Sequence, residues 1–348
     1  MILRHNFRRT WFHLLAILCG FTLIGVLIYG IGFNRLWSQL RILGWALVPL
    51  ILIEGVADLC HTQAWRHCLS DALRKLPFFR IFCVRMAGYS ISYLTPTAGM
   101  GGEVAKGVLL APNSTGSESA TGIIIDKLSY ALAQLIFVVG GSLITLPGAG
   151  LPRPIWISML IATTLLGSGM FIFLAMQKYG KLGGFLRWLV NHRLGGRRMQ
   201  KAASLITDVD EKLRAFYTRR PTDLVLSMLW HIAGMALGIL QSYYFLVVLM
   251  GSTSWSLAAG LWFLGTWFSL LSFAAPIDLG VMEATRVIAF VIFGLQSSVG
   301  LAYGITLRLE QVFWAGVGLT IYAALVVQMR KHHDTGRPSA AAGQEINI

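Results

Sequence analysis

Long apolar runs separated by short polar loops dominate this chain. A helix needs roughly 20 apolar residues to cross the hydrocarbon core of a bilayer. Six runs reach that length, and they predict helices at about 11–33, 42–64, 120–146, 155–176, 222–250 and 299–329. Two further apolar stretches are interrupted by proline, which removes a backbone donor and breaks a helix. They predict helical hairpins at about 78–95 with 99–111 and at about 255–275 with 281–296.

The pattern therefore predicts an all-α, polytopic integral membrane protein. It has eight apolar units, about six full transmembrane helices and two hairpins that are either re-entrant or fully spanning. Composition supports this class, because 55% of the residues are hydrophobic and only 13% are charged, against about 25% in soluble domains. The mean hydropathy is +0.66.

The net charge of +14 would suggest a nucleic-acid partner in a soluble chain. Here the Lys and Arg residues concentrate in loops that we predict to be cytoplasmic, where they face anionic lipid headgroups. We therefore expect no nucleic-acid partner. The four cysteines have no zinc or redox spacing, so we expect no metal and no cofactor.

The distribution of loop charges also predicts an orientation. The N-terminal residues 1–10 are basic, and the segment 177–221 holds eleven Lys or Arg against three acids. The loops on the other side carry only Arg35, Arg41 and Arg153. We therefore predict a bacterial inner (plasma) membrane protein with both termini in the cytoplasm.

Counting the predicted helices divides the chain into two similar units with flanking segments. The predicted divisions are 1–41 (tail and first helix), 42–146 (helix–hairpin–helix repeat one), 147–221 (connecting helix and basic loop), 222–329 (repeat two) and 330–348 (disordered cytoplasmic tail). The count makes the two hairpins enter from opposite sides of the membrane. Inverted repeats of this kind occur in transporters, whose broken helices meet near the midplane.

The two interrupted stretches share one residue pattern. Ser92 to Lys106 and Ser272 to Arg286 both read Ser, aromatic, two residues, Pro, six residues, Glu, two residues, Lys or Arg, at an offset of 180 residues. The next apolar segment of each unit carries a cation, Lys127 or Arg308. A helix that begins near Gly101 would present unpaired N–H groups and a positive dipole end, which can hold a phosphate or a carboxylate.

Ionisable groups at the centre of a membrane helix cost about 2.5–3.5 kcal/mol each, so they normally face a cavity or one another. We interpret them as lining a polar cavity between the repeats, where the cations receive an anionic headgroup and the carboxylates hold the cations in position. The predicted substrate-binding residues are Pro96, Gly99, Gly101, Gly102, Glu103, Lys106, Asp126, Lys127, Pro276, Gly280, Glu283, Arg286, Arg308 and Glu310.

A purely structural alternative remains open, in which these charged pairs only hold the repeats together. Glu54 and Asp58 are equally compatible with burial against Lys or Arg and with a substrate role. His61, His67 and His231 are interpreted as interfacial or packing residues rather than as metal ligands.

Several motifs resemble one known family. They are Tyr93–Pro96 with Gly99–Glu103, Ile125–Lys127, Pro276 with Leu279–Glu283, and Arg308. Over about residues 10–330 the chain resembles the lysylphosphatidylglycerol synthase transmembrane-region family, also called the flippase-like domain family, which includes hopanoid-associated membrane proteins. Two departures are visible. The family's second motif often reads Pro-Gly-Gly-Leu-Gly, which is Pro-Ile-Asp-Leu-Gly at 276–280, and its acid–Arg pair is Asp126-Lys127 here. Lys lacks the bidentate geometry of Arg.

Members of that family that synthesise aminoacylated lipid carry a further soluble domain. This chain ends about twenty residues after its last predicted helix, so we expect the lipid-moving half without the synthase. The resemblance implies a flippase-like transporter, not an enzyme, that moves a lipid or lipid-linked anionic substrate between leaflets. Its partners would be membrane lipids and possible lipid-modifying enzymes.

Two alternatives stay open. The first is an integral-membrane enzyme of lipid modification, with Glu103 and Glu283 as an acid/base set, although no nucleophile–base motif accompanies them. The second is a non-transporting membrane partner that recruits a lipid-modifying enzyme through the basic 177–221 segment.

Overall fold

A computed structural model describes residues 29, 33–95, 100–147, 151–178, 211–271 and 280–335, and within these ranges it contains helices and no strands. The principal helices are α1 (Phe33–Leu43), α2 (Leu47–Cys68), α3 (Phe78–Leu94), α4 (Met100–Leu110), α5 (Gly116–Thr145), α6 (Arg153–Lys178), α7 (211–219), α8 (Pro221–Met250), α9 (Trp255–Leu271), α10 (Val281–Ile292) and α11 (Ser297–Thr335).

Five stretches of the described chain are helical, long and apolar enough to cross a membrane. They are Leu40–Cys68, Gly116–Thr145, Arg153–Ile172, Pro221–Met250 and Ser297–Met329. The prediction of an all-α membrane protein is thereby confirmed. The first predicted helix, at about 11–33, falls almost entirely outside the described residues, and so do the tips of both hairpins.

Two predicted boundaries differ from the structure. The loop expected near Arg35 and Arg41 is helical (α1), because no Gly or Pro lies between Phe33 and Gly44, whose positive φ of 39° ends the helix. The disordered tail expected from residue 330 cannot begin there, because α11 continues to Thr335. Basic residues near a helix C-terminus interact favourably with its dipole, which favours this extension. The rest of that predicted tail, 336–348, lies outside the described residues.

The helices pack in a reciprocal pattern. Helix α2 packs along α8. The first arm of each hairpin packs on the last helix of the other unit, α3 on α11 and α9 on α5. The two arms of each hairpin also pack together, α3 on α4 and α9 on α10. The second arms also correspond, since α4 contacts α5 and α10 contacts α11. Two related repeats would give these paired contacts. The opposite orientation of the repeats in a membrane remains a prediction.

Glycines allow the closest of these helix contacts. A Cβ at Gly102 would overlap the Gly88 carbonyl of α3, and a Cβ at Gly304 would lie 2.9 Å from the Glu283 Cα. A Cβ at Gly318 would overlap the Met86 carbonyl. Small residues let backbones approach in membrane bundles, and here they bring polar side chains of both units to the middle of the fold.

We predict that Gly318→Ala destabilises the protein by about 1–3 kcal/mol, because the added methyl group must push α11 away from α3. The matched control is Gly316→Ala, since a Cβ at Gly316 meets nothing within 4 Å. That control should be neutral or stabilising by about 0.5–1 kcal/mol through helix propensity. Unfolding of the detergent-solubilised variants measures both effects, and equal stability of the two variants would contradict the packing described.

Candidate functional site

The first turn of α4 holds a three-charge cluster. The Glu103 carboxylate lies 3.1 Å from the Lys106 ammonium and 2.8 Å from the Lys127 ammonium of α5. Lys106 is buried, and its ammonium lies 5.2 Å from the centre of the Trp65 ring. Gly88 makes room for the Lys106 stem, because a Cβ there would lie 2.6 Å from the Lys106 Cγ. Glu103 therefore neutralises two cations from two helices.

The first turn of α10 holds the corresponding pair of the second unit. Arg308 Nε donates to Glu283 Oε1 at 2.9 Å, and Arg308 Nη2 donates to Oε2 at 3.3 Å. Glu283 Oε2 also accepts from the Gly280 backbone N–H at 2.9 Å. Gly280 has a φ of +81°, which favours glycine. Glu283 thus stabilises the start of α10 and binds Arg308 in a bidentate fork.

The two clusters match one another as the sequence offset implies. In each, the glutamate of the hairpin's second arm pairs with a cation of the following helix, Lys127 or Arg308. The last cation of each motif lies against a glycine of the preceding arm. Lys106 packs on Gly88, and a Cβ at Gly265 would lie 2.7 Å from the Arg286 Cζ. Arg286 also lies over the Tyr303 ring, 6.0 Å from its centre.

Arg85 of α3 is a central residue that the sequence interpretation missed. Its Nη2 lies 3.5 Å from Asp58 Oδ1 on α2. It also interacts electrostatically with Glu54 and Lys106. The available signal was the second of two Arg residues in the apolar arm 78–95, which lies five residues past Arg80 and so deeper in the arm. Asp58 and Glu54 accordingly face a cation, which agrees with burial against Lys or Arg, one of the two roles left open for them.

Tyr93 joins the two units. It is the aromatic residue of the first motif, next to the end of α3, and it hydrogen-bonds with Arg308 of α11. Arg308 also holds Glu283, the acid of the second motif. Residues beside the tips of both hairpins therefore meet at one guanidinium.

Asp126 and Glu310 face other partners than the cations beside them in sequence. Consecutive helical residues point about 100° apart, so Asp126 turns away from Lys127 and lies 3.2 Å from His231 Nε2 on α8. Glu310 is buried and accepts from Gln241 Nε2 of α8 at 2.7 Å.

Three of the four predicted glycines lie in the described part of the chain, and the two predicted prolines do not. Gly280 precedes α10, Gly101 lies in the first turn of α4, and the packing of Gly102 on Gly88 explains that glycine structurally. The predicted residues Pro96, Gly99 and Pro276 lie outside the described residues.

A separate cavity of about 430 Å³ lies between the end of α2, the start of α5 and α7, and neither Glu103 nor Glu283 lines it. Its charged lining is largely engaged, because Lys212 donates to Ser117 at 2.6 Å and Arg220 pairs with Asp71. We place the candidate site at the glutamate clusters, since they hold the buried charges. In the described part of the chain, no group of three His, Cys, Asp or Glu side chains is arranged to hold a metal ion.

Comparison with known proteins identifies the family. The family model described as "Lysylphosphatidylglycerol synthase TM region" matches residues 13–318. The chain belongs to this family. No curated protein and no solved structure matches it significantly. Membership supports a lipid-related function in a membrane, and the suspected resemblance is confirmed.

We predict that Glu283→Ala costs more stability than Glu103→Ala. Only 1% of the Glu283 side chain is exposed, against 20% for Glu103. Breaking a buried pair costs about 3–5 kcal/mol, because it strands the other charge. The loss at Glu103 should be smaller, because its carboxylate is less deeply buried and lacks the bidentate fork and the backbone hydrogen bond of Glu283. Unfolding of the two solubilised variants measures the difference.

The double variant Glu283→Ala/Arg308→Ala is the control for that comparison. It should recover part of the loss, because it removes the stranded guanidinium as well. Additive losses from the two single changes would show that Glu283 and Arg308 do not act as a pair.

Proposed function

We propose that this protein moves a lipid or lipid-linked anionic substrate between the leaflets of the membrane. The observation that carries the proposal is an accessible charge halfway along an apolar helix. Lys127 lies eleven residues after Gly116, the first residue of α5. At 1.5 Å per residue this is about 16 Å along the helix, or half of a hydrocarbon core of about 30 Å.

The Lys127 side chain is 59% exposed. An ammonium held at that depth costs about 2.5–3.5 kcal/mol, and Glu103 compensates it only in part because Glu103 also serves Lys106. An anionic headgroup that reached the cluster sideways from the bilayer would supply the missing negative charge. The exposed side chains of Val104 and Val108 on α4 offer acyl chains an apolar surface beside it.

The cations also indicate how the headgroup is recognised. Lys106 and Lys127 carry compact charges on flexible stems, and neither forms the planar fork of an arginine. Recognition at the α4–α5 cluster therefore depends on charge more than on the shape of one headgroup. The corresponding guanidinium, Arg308, has the fork geometry, but Glu283 occupies it.

The unequal exposure of the two clusters supports an alternating mechanism. Lys127 is 59% exposed, whereas its counterpart Arg308 is 18% exposed and holds a glutamate that is 1% exposed. Because the two units make reciprocal contacts, exchanging their conformations would close the α4–α5 cluster and open the α10–α11 cluster. A substrate held between them would then face the other leaflet.

We predict that Lys127→Gln and Arg286→Ala each reduce the transfer of labelled phosphatidylglycerol between leaflets of proteoliposomes by about tenfold or more, the equivalent of one lost charged contact with the headgroup. Glu103→Gln should reduce transfer as well, because the carboxylate no longer holds the two ammonium groups in position. The control is Asp71→Asn, which removes an exposed carboxylate paired with Arg220 outside the clusters and should transfer lipid at the wild-type rate. Unchanged transfer in all three variants would show that the clusters are structural only.

The same preparations distinguish the alternatives. A chemically altered lipid that depends on Glu103 would favour the enzyme. Loss of function on neutralising the basic residues of 177–221, with wild-type behaviour of Glu103→Gln, would favour the partner of a lipid-modifying enzyme.

We predict that a cysteine at position 127 reacts with a membrane-permeant maleimide about tenfold faster than one at position 308, in a background whose native cysteines are replaced. The expectation follows from their exposure and from opening of one cluster at a time. Adding anionic lipid should slow labelling at position 127, while a neutral lipid serves as the control. Equal rates at the two positions would contradict the alternating mechanism.

A further inference from the structure

A buried chain of ionisable side chains joins the two units behind the candidate site. His231 of α8 is fully buried, and its Nδ1 lies 2.9 Å from His61 Nδ1 on α2. Its other ring nitrogen, Nε2, lies 3.2 Å from Asp126 Oδ1 on α5. The Tyr130 ring stands edge-on to both histidines, with ring centres 5.6 and 5.2 Å away. The chain Asp126–His231–His61 therefore crosses three helices that come from both units.

The two distances assign the protons in this chain. Of two Nδ1 atoms at 2.9 Å, one must carry a proton and the other a lone pair. The Asp126 carboxylate favours a proton on His231 Nε2, which leaves His231 Nδ1 as the acceptor. His61 Nδ1–H therefore donates, and His61 Nε2 is the end of the chain that carries a lone pair. Gly234 makes room at this end, because a Cβ there would lie 2.8 Å from His61 Nε2.

The other end of the chain has unused hydrogen-bonding capacity. Asp126 Oδ1 and His231 Nε2 are buried and close, and neither atom has a hydrogen-bond partner beyond this contact among the described residues. Buried polar groups without partners are costly, and each such case calls for a functional or structural reason. A site that receives a proton in part of a working cycle is one such reason.

We propose that the Asp126–His231–His61 chain binds one proton and couples its movement to that of the anionic lipid. A proton that arrives at His61 Nε2 releases the Nδ1 proton to His231 Nδ1, and His231 passes its Nε2 proton to Asp126. One proton enters, Asp126 becomes a neutral carboxylic acid, and both imidazoles end neutral with their tautomers exchanged. The inference rests on the proposed function and adds the identity of the coupled ion.

The charges around the chain determine the sign of the coupling. Arg85 and Lys106 both interact electrostatically with Asp126, and Lys106 belongs to the cluster that would receive the headgroup. Protonation of Asp126 removes a negative charge beside these cations and leaves them more available to an anion. A proton and an anionic lipid should therefore favour each other's binding, by the reciprocity of linked equilibria.

Charged and titratable groups from every packed helix face the chain and could share its proton. They are Cys68 on α2, Glu54 and Asp58 on α2 (both beside Tyr130), Arg85 on α3, Lys106 on α4, Tyr130 on α5 and Glu310 on α11, which faces Glu54. Variants of the chain itself are therefore needed to assign any observed proton to it.

The transport experiment uses proteoliposomes of the full chain with labelled phosphatidylglycerol, an enclosed pH dye and a clamped membrane potential. If one proton accompanies each lipid, a gradient of about one pH unit changes the leaflet ratio of the probe by about tenfold at equilibrium. Asp126→Asn and His231→Gln should lose this dependence and the dye signal. The matched control is His67→Gln, which disrupts a His–Asp pair of similar length, 3.0 Å to Asp223, outside the chain, and should keep both.

Lipid transfer that ignores the gradient in the wild-type protein would overturn the coupling and leave the proposed function standing. Absence of lipid transfer in the wild type would count against the proposed function instead. In that case ¹⁵N NMR of histidine in the full-length protein tests the proton site directly. His61 and His231 should exchange tautomers together in one pH-dependent transition that Asp126→Asn abolishes and His67→Gln preserves. Independent changes at the two rings, or no change with pH, would overturn the proton site.

Discussion

Compensation of buried charge is the constraint on which the rest of this structure depends. The helices are largely apolar, and each ionised group within the bundle would cost several kcal/mol without a partner. The partners come from different helices: Glu283 meets Arg308, Glu103 meets Lys127, and Asp58 meets Arg85. Each pair fixes the rotation of two helices about their axes, because turning either one would separate the charges. The apolar contacts set how close the helices lie, and the ion pairs set which faces meet.

The compensation is uneven, and the proposed function rests on that unevenness. The α10–α11 pair is buried and forked, whereas the α4–α5 cluster shares one carboxylate between two ammonium groups and is the more exposed of the two. A cluster whose charges are already compensated gains little from binding a charged substrate. The α4–α5 cluster is the less compensated one, and under the proposed function an anionic headgroup would supply its missing negative charge.

The sequence was informative where residue spacing determines geometry. The offset of 180 residues between the motifs placed Glu103 and Glu283 in equivalent positions, and the helices after them supplied the expected cations. Residue spacing did not predict the contact partner of a side chain where the rotation of its helix about the axis decides that partner. Asp126 and Lys127 are adjacent in sequence yet belong to different clusters, and Glu310 turns away from Arg308 toward Gln241. Arg85 and the His61–His231 contact depend on how α3 and α8 pack, which periodicity along the chain does not encode.

The reciprocal packing also divides the helix interfaces into two kinds. If the units exchanged conformations as proposed, the α2–α8 interface would map onto itself, so a substitution there would change the energy of both conformations alike. The α3–α11 and α9–α5 interfaces would map onto each other, so a substitution in one of them would stabilise or weaken a single conformation. Under that mechanism, substitutions at residues such as Gly318 or Phe263 would shift the balance between inward-facing and outward-facing forms, whereas the α2–α8 interface would set the overall stability of the bundle.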